Sequence, residues 1–172
     1  MKVDIVKYWA MPNKWTFTIR PIKFELMKYK YNNWVDPFAG HNSPAEFTND
    51  LNPDSKAKSH KDALEFLKEL ETSKYDGVLY DPPYSLRQAS ECYSSIGKEG
   101  FTGRSDYWSF CKKEIGRIIK PGGICISFGW NTNGIGKVNR FEQIKIIIIA
   151  HGGSKNDTLM TIEQKLINSV SL

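Results

Sequence analysis

The run Gly77-Val78-Leu79-Tyr80 has the character of a buried strand, and it meets two successive prolines in Asp81-Pro82-Pro83-Tyr84. Proline lacks an N–H and fixes φ, so a pair of them cannot continue a central ladder. The strand, led in by Tyr75-Asp76, therefore has a defined carboxyl end. Trp34-Val35 forms a second short apolar strand that runs into the turn Asp36-Pro37-Phe38-Ala39-Gly40. A third is expected over Ala45–Asp50, ending at the turn signal Asn52-Pro53. Asp62 then caps a periodic segment in which Ala63, Leu64, Phe66, Leu67 and Leu70 mark one face of a helix.

Further along, Asp106–Ile119 reads as an amphipathic helix ended by Lys120-Pro121-Gly122-Gly123, and Ile124–Phe128 as another strand. Gln143–Ala150 and Thr158–Lys165 flank the turn-rich His151-Gly152-Gly153-Ser154 and predict an antiparallel hairpin. Pro21 suits a first helical turn, so a helix is expected over 21–30, whereas Met1–Lys14 reads as irregular. The polar stretch 85–104 reads as a mobile loop with some helix. Alternation of strand and helix implies an α/β fold with a mostly parallel sheet, right-handed crossovers and the C-terminal antiparallel hairpin. Ligands bind such sheets at the carboxyl ends of strands, where Asp36–Gly40, Asp50 and Asp81–Tyr84 all fall.

The chain has 172 residues, 40% of them hydrophobic and 25% charged, which suits one domain, 1–172, able to bury a core without a disulfide or metal staple. Cys92, Cys111 and Cys125, like His41, His60 and His151, lack ligand or disulfide spacing, so no metal site is expected. No signal-peptide core is present, and the apolar run Ile146–Ala150 is far shorter than the ~20 residues a membrane crossing needs, so a cytoplasmic protein without membrane contact is expected. The net charge of +5 favours polyanionic partners, with a soluble, mildly basic protein as the plain alternative.

Asp81-Pro82-Pro83-Tyr84 presents a carboxylate, a rigidly held proline carbonyl and an aromatic face beside one another. An exocyclic amine on an aromatic base shares its lone pair with the ring and is a poor nucleophile. Two acceptors that take both amine protons draw the nitrogen toward pyramidal geometry and localise that pair, while Tyr84 stacks on the ring. The bland alternative is a loop after a strand. Gly40 permits close backbone approach to a ligand, Asp50 suits ribose hydroxyls, and Asp62 with Ala63 suits an adenine ring. A tight turn, an Asx turn and a helix cap explain the same residues structurally.

Asp36-Pro37-Phe38-Ala39-Gly40 followed by Asp81-Pro82-Pro83-Tyr84 resembles the amino-methylating DNA methyltransferases, the adenine N6 and cytosine N4 enzymes. Lys14–Ile22, with Thr16 and Phe17, is similar to that family's additional cofactor segment, and Lys120-Pro121-Gly122-Gly123 to the turn before its fifth strand; the resemblance runs from Lys14 to Lys165. It implies a Rossmann-like fold of seven strands and S-adenosylmethionine as cofactor. Thr16, Phe17, Asp36, Pro37, Phe38, Ala39, Gly40, Asp50, Asp62 and Ala63 would hold that cofactor, and Asp81, Pro82, Pro83 and Tyr84 would carry catalysis. The base would be flipped out of any duplex before reaction.

Asp81, where many related protein and RNA methylases carry asparagine, tilts the expected substrate toward DNA, adenine N6 first. An RNA base methylase of the same mechanism and a non-catalytic nucleic-acid-binding subunit are the alternatives. Two departures stand out. The gap from Gly40 to Asp50 admits only a turn where the family has a crossover helix, and no stretch is long enough for a target-recognition domain. A relaxed sequence preference, a homodimer or a specificity partner would follow. Arg87, Lys98 and Arg104, interleaved with Tyr93 and Phe101, are the candidate nucleic-acid contacts, with a solvated surface loop as the alternative. Trp130-Asn131-Thr132-Asn133 could rim the base pocket.

Overall fold

The computed structural model describes residues 2–84, 106–153 and 155–167, together with 87, 90, 91 and 94. Its strands are β1 (Asp4–Trp9), β2 (Trp34–Asp36), β3 (Phe47–Thr48), β4 (Tyr75–Tyr80), β5 (Ile119–Gly129), β6 (Phe141–Ala150) and β7 (Thr158–Lys165). They form one sheet in the order β1-β6-β7-β5-β4-β2-β3. Among these strands only β7 runs against the others, paired antiparallel with both β5 and β6. The architecture is thus the expected mostly parallel sheet with an antiparallel hairpin at its C-terminal side.

The described α-helices are α1 (Arg20–Leu26), α2 (Ala63–Glu69) and α3 (Tyr107–Ile118). Each has a local cause. Pro21 sits in the first turn of α1, where its missing N–H costs nothing. Asp62 accepts from the N–H groups of Leu64 and Glu65 and so caps α2. Cys111, Ile115 and Ile118 bury one stripe of α3 at helical spacing.

Alternate residues along the strands then serve opposite faces of the sheet. Val35, Val78, Tyr80 and Cys125 pack with α2 and α3, through Phe66, Leu67, Cys111 and Ile115. Trp34, Leu79, Ile126, Ile147 and Met160 pack with Ile22 and Leu26 of α1 on the other face. The layered sheet is held by burial on both sides, which is why its central strands read as continuous apolar runs.

Four boundaries differ from expectation. Residues 4–9 are a strand paired parallel to β6, although Met1–Lys14 reads as irregular. On this edge strand every side chain except Val6 is exposed, so no burial pattern marks it. The turn Lys120-Pro121-Gly122-Gly123 lies inside β5 as a bulge: Tyr75 pairs with Ile119 and Gly77 with Ile124, leaving Asp76 opposite the extra residues. The strand expected over 45–50 contracts to Phe47–Thr48, extended by a single bridge from Asn49 to Ser59. The helix expected over 21–30 stops at Leu26, with Met27 as its C-cap. No helix lies between β2 and β3, as the short gap requires. None of the described helices is long and apolar enough to cross a membrane.

Candidate active site

Asp81 follows β4 directly, between the carboxyl ends of its parallel neighbours β2 and β5. Its Oδ1 accepts a hydrogen bond from the Tyr84 hydroxyl at 2.6 Å. Burial raises the Asp81 carboxyl above the usual carboxylate range, opposed by hydrogen bonds from Tyr84 and Thr16. Burial and the neighbouring Asp81 charge push the Tyr84 hydroxyl strongly upward, so it remains a donor. The Tyr84 ring meets Trp130 edge-on, with centroids 5.6 Å apart and planes at 65°. The prolines that end the ladder thereby deliver a clamped carboxylate and an aromatic face to one spot.

Asp36 occupies a different position. It is wholly buried and holds the turn after β2 from within, accepting from the Phe38 N–H at 3.0 Å and the Ser43 hydroxyl at 2.6 Å. Burial raises its carboxyl to about 7, against the lowering effect of those two donors. The Ala39 N–H donates to the Asn49 carbonyl at 2.9 Å, and the Gly40 N–H to Asp50 Oδ2 at 2.8 Å. Gly40 has φ +52, and a Cβ there would meet nothing within 4 Å, so its backbone borders open space. Asp50 also accepts from the Asn52 N–H through Oδ1, so its Asx turn and its place beside Gly40 coexist.

A cavity of about 460 Å³ joins these parts. Pro37, Phe38, Asp50 and Ala63 line it along β2, β3 and the start of α2, and Thr16, Asp81, Pro82 and Tyr84 line it toward β4. Asp62 does not; its Oδ2 accepts from the Tyr107 hydroxyl at 2.9 Å while Oδ1 caps α2. Phe17, Ala39 and Gly40 border a smaller hollow that shares Thr16, Phe38 and Asp81 with the main cavity. On the far side of the prolines lies a second pocket of about 170 Å³, with Lys112, Ser127, Trp130 and Asn131 on its wall. Pro82, Pro83, Tyr84 and Trp108 line both. The Asp-Pro-Pro-Tyr segment is therefore the partition between two neighbouring cavities.

Arg87 is exposed and paired with Glu91 at 2.8 Å; Lys98 and Arg104, with Tyr93 and Phe101, lie outside the described residues. Two contributors escape sequence reasoning. Lys112, on α3, faces the second pocket and makes no ion pair among the described residues. Glu163, fully buried in β7, accepts from the N–H groups of Ile135 at 2.6 Å and Gly136 at 3.0 Å. It anchors from beneath the loop that carries Trp130 and Asn131. A carboxylate in the middle of an apolar hairpin strand, between Ile162 and Gln164, was the available signal.

No family model matches the chain, and no curated protein sequence does. Solved structures do. The chain is similar to TrmN from Thermus thermophilus, with a TM-score of 0.54 and 14% identity over 86% of this chain and 49% of that one, so it spans about half of the TrmN chain. It is similar to the 1,6-didemethyltoxoflavin-N1-methyltransferase of Burkholderia thailandensis, solved with 1,6-didemethyltoxoflavin and S-adenosylhomocysteine, at a TM-score of 0.56 and 12% identity, covering 86% and 78%. The N-methyltransferase NodS from Bradyrhizobium japonicum gives a TM-score of 0.53 and 8% identity, covering 86% and 93%. The shared element is the fold, the Rossmann-like sheet of S-adenosylmethionine-dependent methyltransferases.

Proposed function

We propose that this chain transfers a methyl group from S-adenosylmethionine to the exocyclic amine of a DNA base, adenine N6 first. The observation that carries this reading is the shared partition: Pro82, Pro83 and Tyr84 line both cavities. A group-transfer enzyme needs such a wall, with one ligand on either side and the acceptor oxygens at the junction. The larger cavity has the size of a cofactor site. The open space before Gly40 and the carboxylate of Asp50 suit, respectively, close approach of the methionine part and acceptance from ribose hydroxyls. A methyltransferase of the same fold was solved with S-adenosylhomocysteine, which supports the choice of cofactor.

Bound S-adenosylmethionine would supply a methyl activated by its sulfonium. The protein's own part is positioning. Asp81 and the Pro82 carbonyl accept from the two amine protons and localise the nitrogen lone pair. Tyr84 and Thr16 hold the Asp81 carboxylate in place, and its burial makes it a stronger acceptor than a solvated one. Tyr84 and Trp130 offer aromatic surface to a base in the smaller pocket, which admits one flipped ring rather than a paired duplex.

The test is incorporation of labelled methyl groups into single-stranded DNA, duplex DNA and bulk RNA, followed by identification of the modified nucleoside. N6-methyladenine in DNA is the expected product. Label confined to RNA would replace the substrate, and absence of S-adenosylmethionine binding by calorimetry would remove the enzymatic reading altogether.

A further inference from the structure

Residues 2–30 contain seven Lys and Arg against Asp4 and Glu25, an excess equal to the +5 net charge of the whole chain. The remaining residues balance to zero. All seven cations are exposed, whereas Glu25 is buried and its carboxylate is taken up by Lys28 at 2.7 Å and Lys145 at 3.1 Å. Such a one-sided distribution marks a polyanion-facing surface.

The fold gathers this segment at one border of the sheet. β1 pairs with β6 and has no strand on its other side among the described residues. Beside it α1 exposes Phe24 at 56%, and β1 exposes Tyr8 at 47% and Trp9 at 66%. A groove of about 290 Å³ runs between them, lined by Tyr8, Arg20, Pro21, Phe24, Glu25 and Lys28. The Arg20 guanidinium lies 5.5 Å over the Phe24 ring. Because β1 is parallel to β6, Trp9 lies at the end of the sheet where Asp81 lies, and Asn13 and Lys14, a few residues on, line the main cavity.

Exposed rings interleaved with exposed cations suit a chain that has phosphates and unstacked bases together. A second copy of this chain would bring two positive faces into contact, and a purely acidic peptide would leave the rings unused. We infer that the groove between β1 and α1 grips the single-stranded DNA flanking the target base, with Arg20 and Lys28 on phosphates while Lys145 keeps the Glu25 carboxylate, and Tyr8 and Phe24 stacking on bases. This would place a hold on the substrate at the border of the same sheet that carries Asp81. The choice of DNA over RNA and the groove's place beside a target base rest on the proposed function; the grip on a single strand does not.

The test measures binding rather than turnover. Fluorescein-labelled oligodeoxythymidylate of about 20 nucleotides, long enough to cross a site of this kind, is titrated without cofactor over a range of salt concentrations. Arg20→Gln with Lys28→Gln should weaken binding roughly tenfold and reduce the slope of log affinity against log salt by about 1.4, the value for two single-strand phosphate contacts. Phe24→Ser should weaken binding by a comparable factor, with the slope unchanged. If the double variant loses its circular dichroism spectrum, the Phe24→Ser comparison stands alone. No binding by the unaltered protein, equal binding by the variants, tighter binding of oligouridylate, or variants that change only sedimentation mass or vesicle binding would each overturn the inference. Asp81→Asn should keep full binding while losing methyl transfer. Binding that depends on the groove in a protein that methylates nothing would reject the proposed function and leave the groove standing; methylation of DNA with no groove effect would do the reverse.

Discussion

The Tyr84 hydroxyl donates to Asp81 Oδ1 at 2.6 Å, across two prolines that hold both residues rigid. On the proposed reaction the tyrosine would thus be more than a stacking surface, because its hydroxyl also orients the carboxylate that would accept from the amine. Asp81→Ala should lower methyl transfer by about 10²–10³-fold, the usual cost of losing a preorganised group at the reacting atoms. Calorimetry should show cofactor binding largely retained.

Tyr84→Phe is expected to separate the two roles of the ring. Stacking alone would make the change mild, since the ring survives; the hydrogen bond to Asp81 makes it costly. Loss of a bond to a charged group should reduce kcat about tenfold or more. The Tyr84 hydroxyl lowers the Asp81 pKa, so its removal raises that pKa further, and the carboxylate forms only at higher pH. The acidic limb of the pH–rate profile should therefore move upward. An unmoved limb would show that Tyr84 does not tune Asp81.

Asp36 links the site to stability. Its folded carboxyl is raised to about 7 by burial, above the 3.8 of the free group, so between those values the folded state holds a proton that the unfolded state has lost. Stability from this residue is present at low pH and declines as pH rises toward about 7. Melting curves from pH 5 to 8 should show that decline, and Asp36→Asn, which cannot ionise, should flatten it.

Glu163 and Gly134 test the loop that borders the smaller pocket. Glu163→Ala strips the Ile135 and Gly136 N–H groups of their acceptor and should cost about 2–3 kcal/mol in urea unfolding. Gly134 has φ +53, and a Cβ there would collide with the Glu163 carboxylate, so Gly134→Ala should be destabilising as well. The two changes made together should cost less than their sum, because Glu163→Ala removes the colliding group.

Trp130→Ala should raise the KM for the nucleic-acid substrate roughly tenfold, as loss of one base-stacking ring does, with kcat and cofactor affinity nearly unchanged. A fall in kcat instead would place Trp130 in the transfer step rather than in base capture.

The local features of this protein were legible in its residues. Pro82 and Pro83 end β4 wherever it lies, Asp62 caps α2 through its immediate neighbours, and the hairpin of β6 and β7 follows from two apolar runs around a glycine turn. Each depends on interactions within a few positions, so composition and spacing suffice. Tertiary structure decided the rest. β1 exists because β6 supplies the partners for its backbone, which an exposed sequence cannot announce. Bulging of 120–123 within β5 and closure of the groove between β1 and α1 depend on register against distant strands. Glu163 is tolerated in the core only because the loop at 135–136 brings it two N–H donors from far along the chain. Long-range packing chooses among many locally acceptable arrangements, and a single sequence carries no direct sign of which one buries its charges with partners.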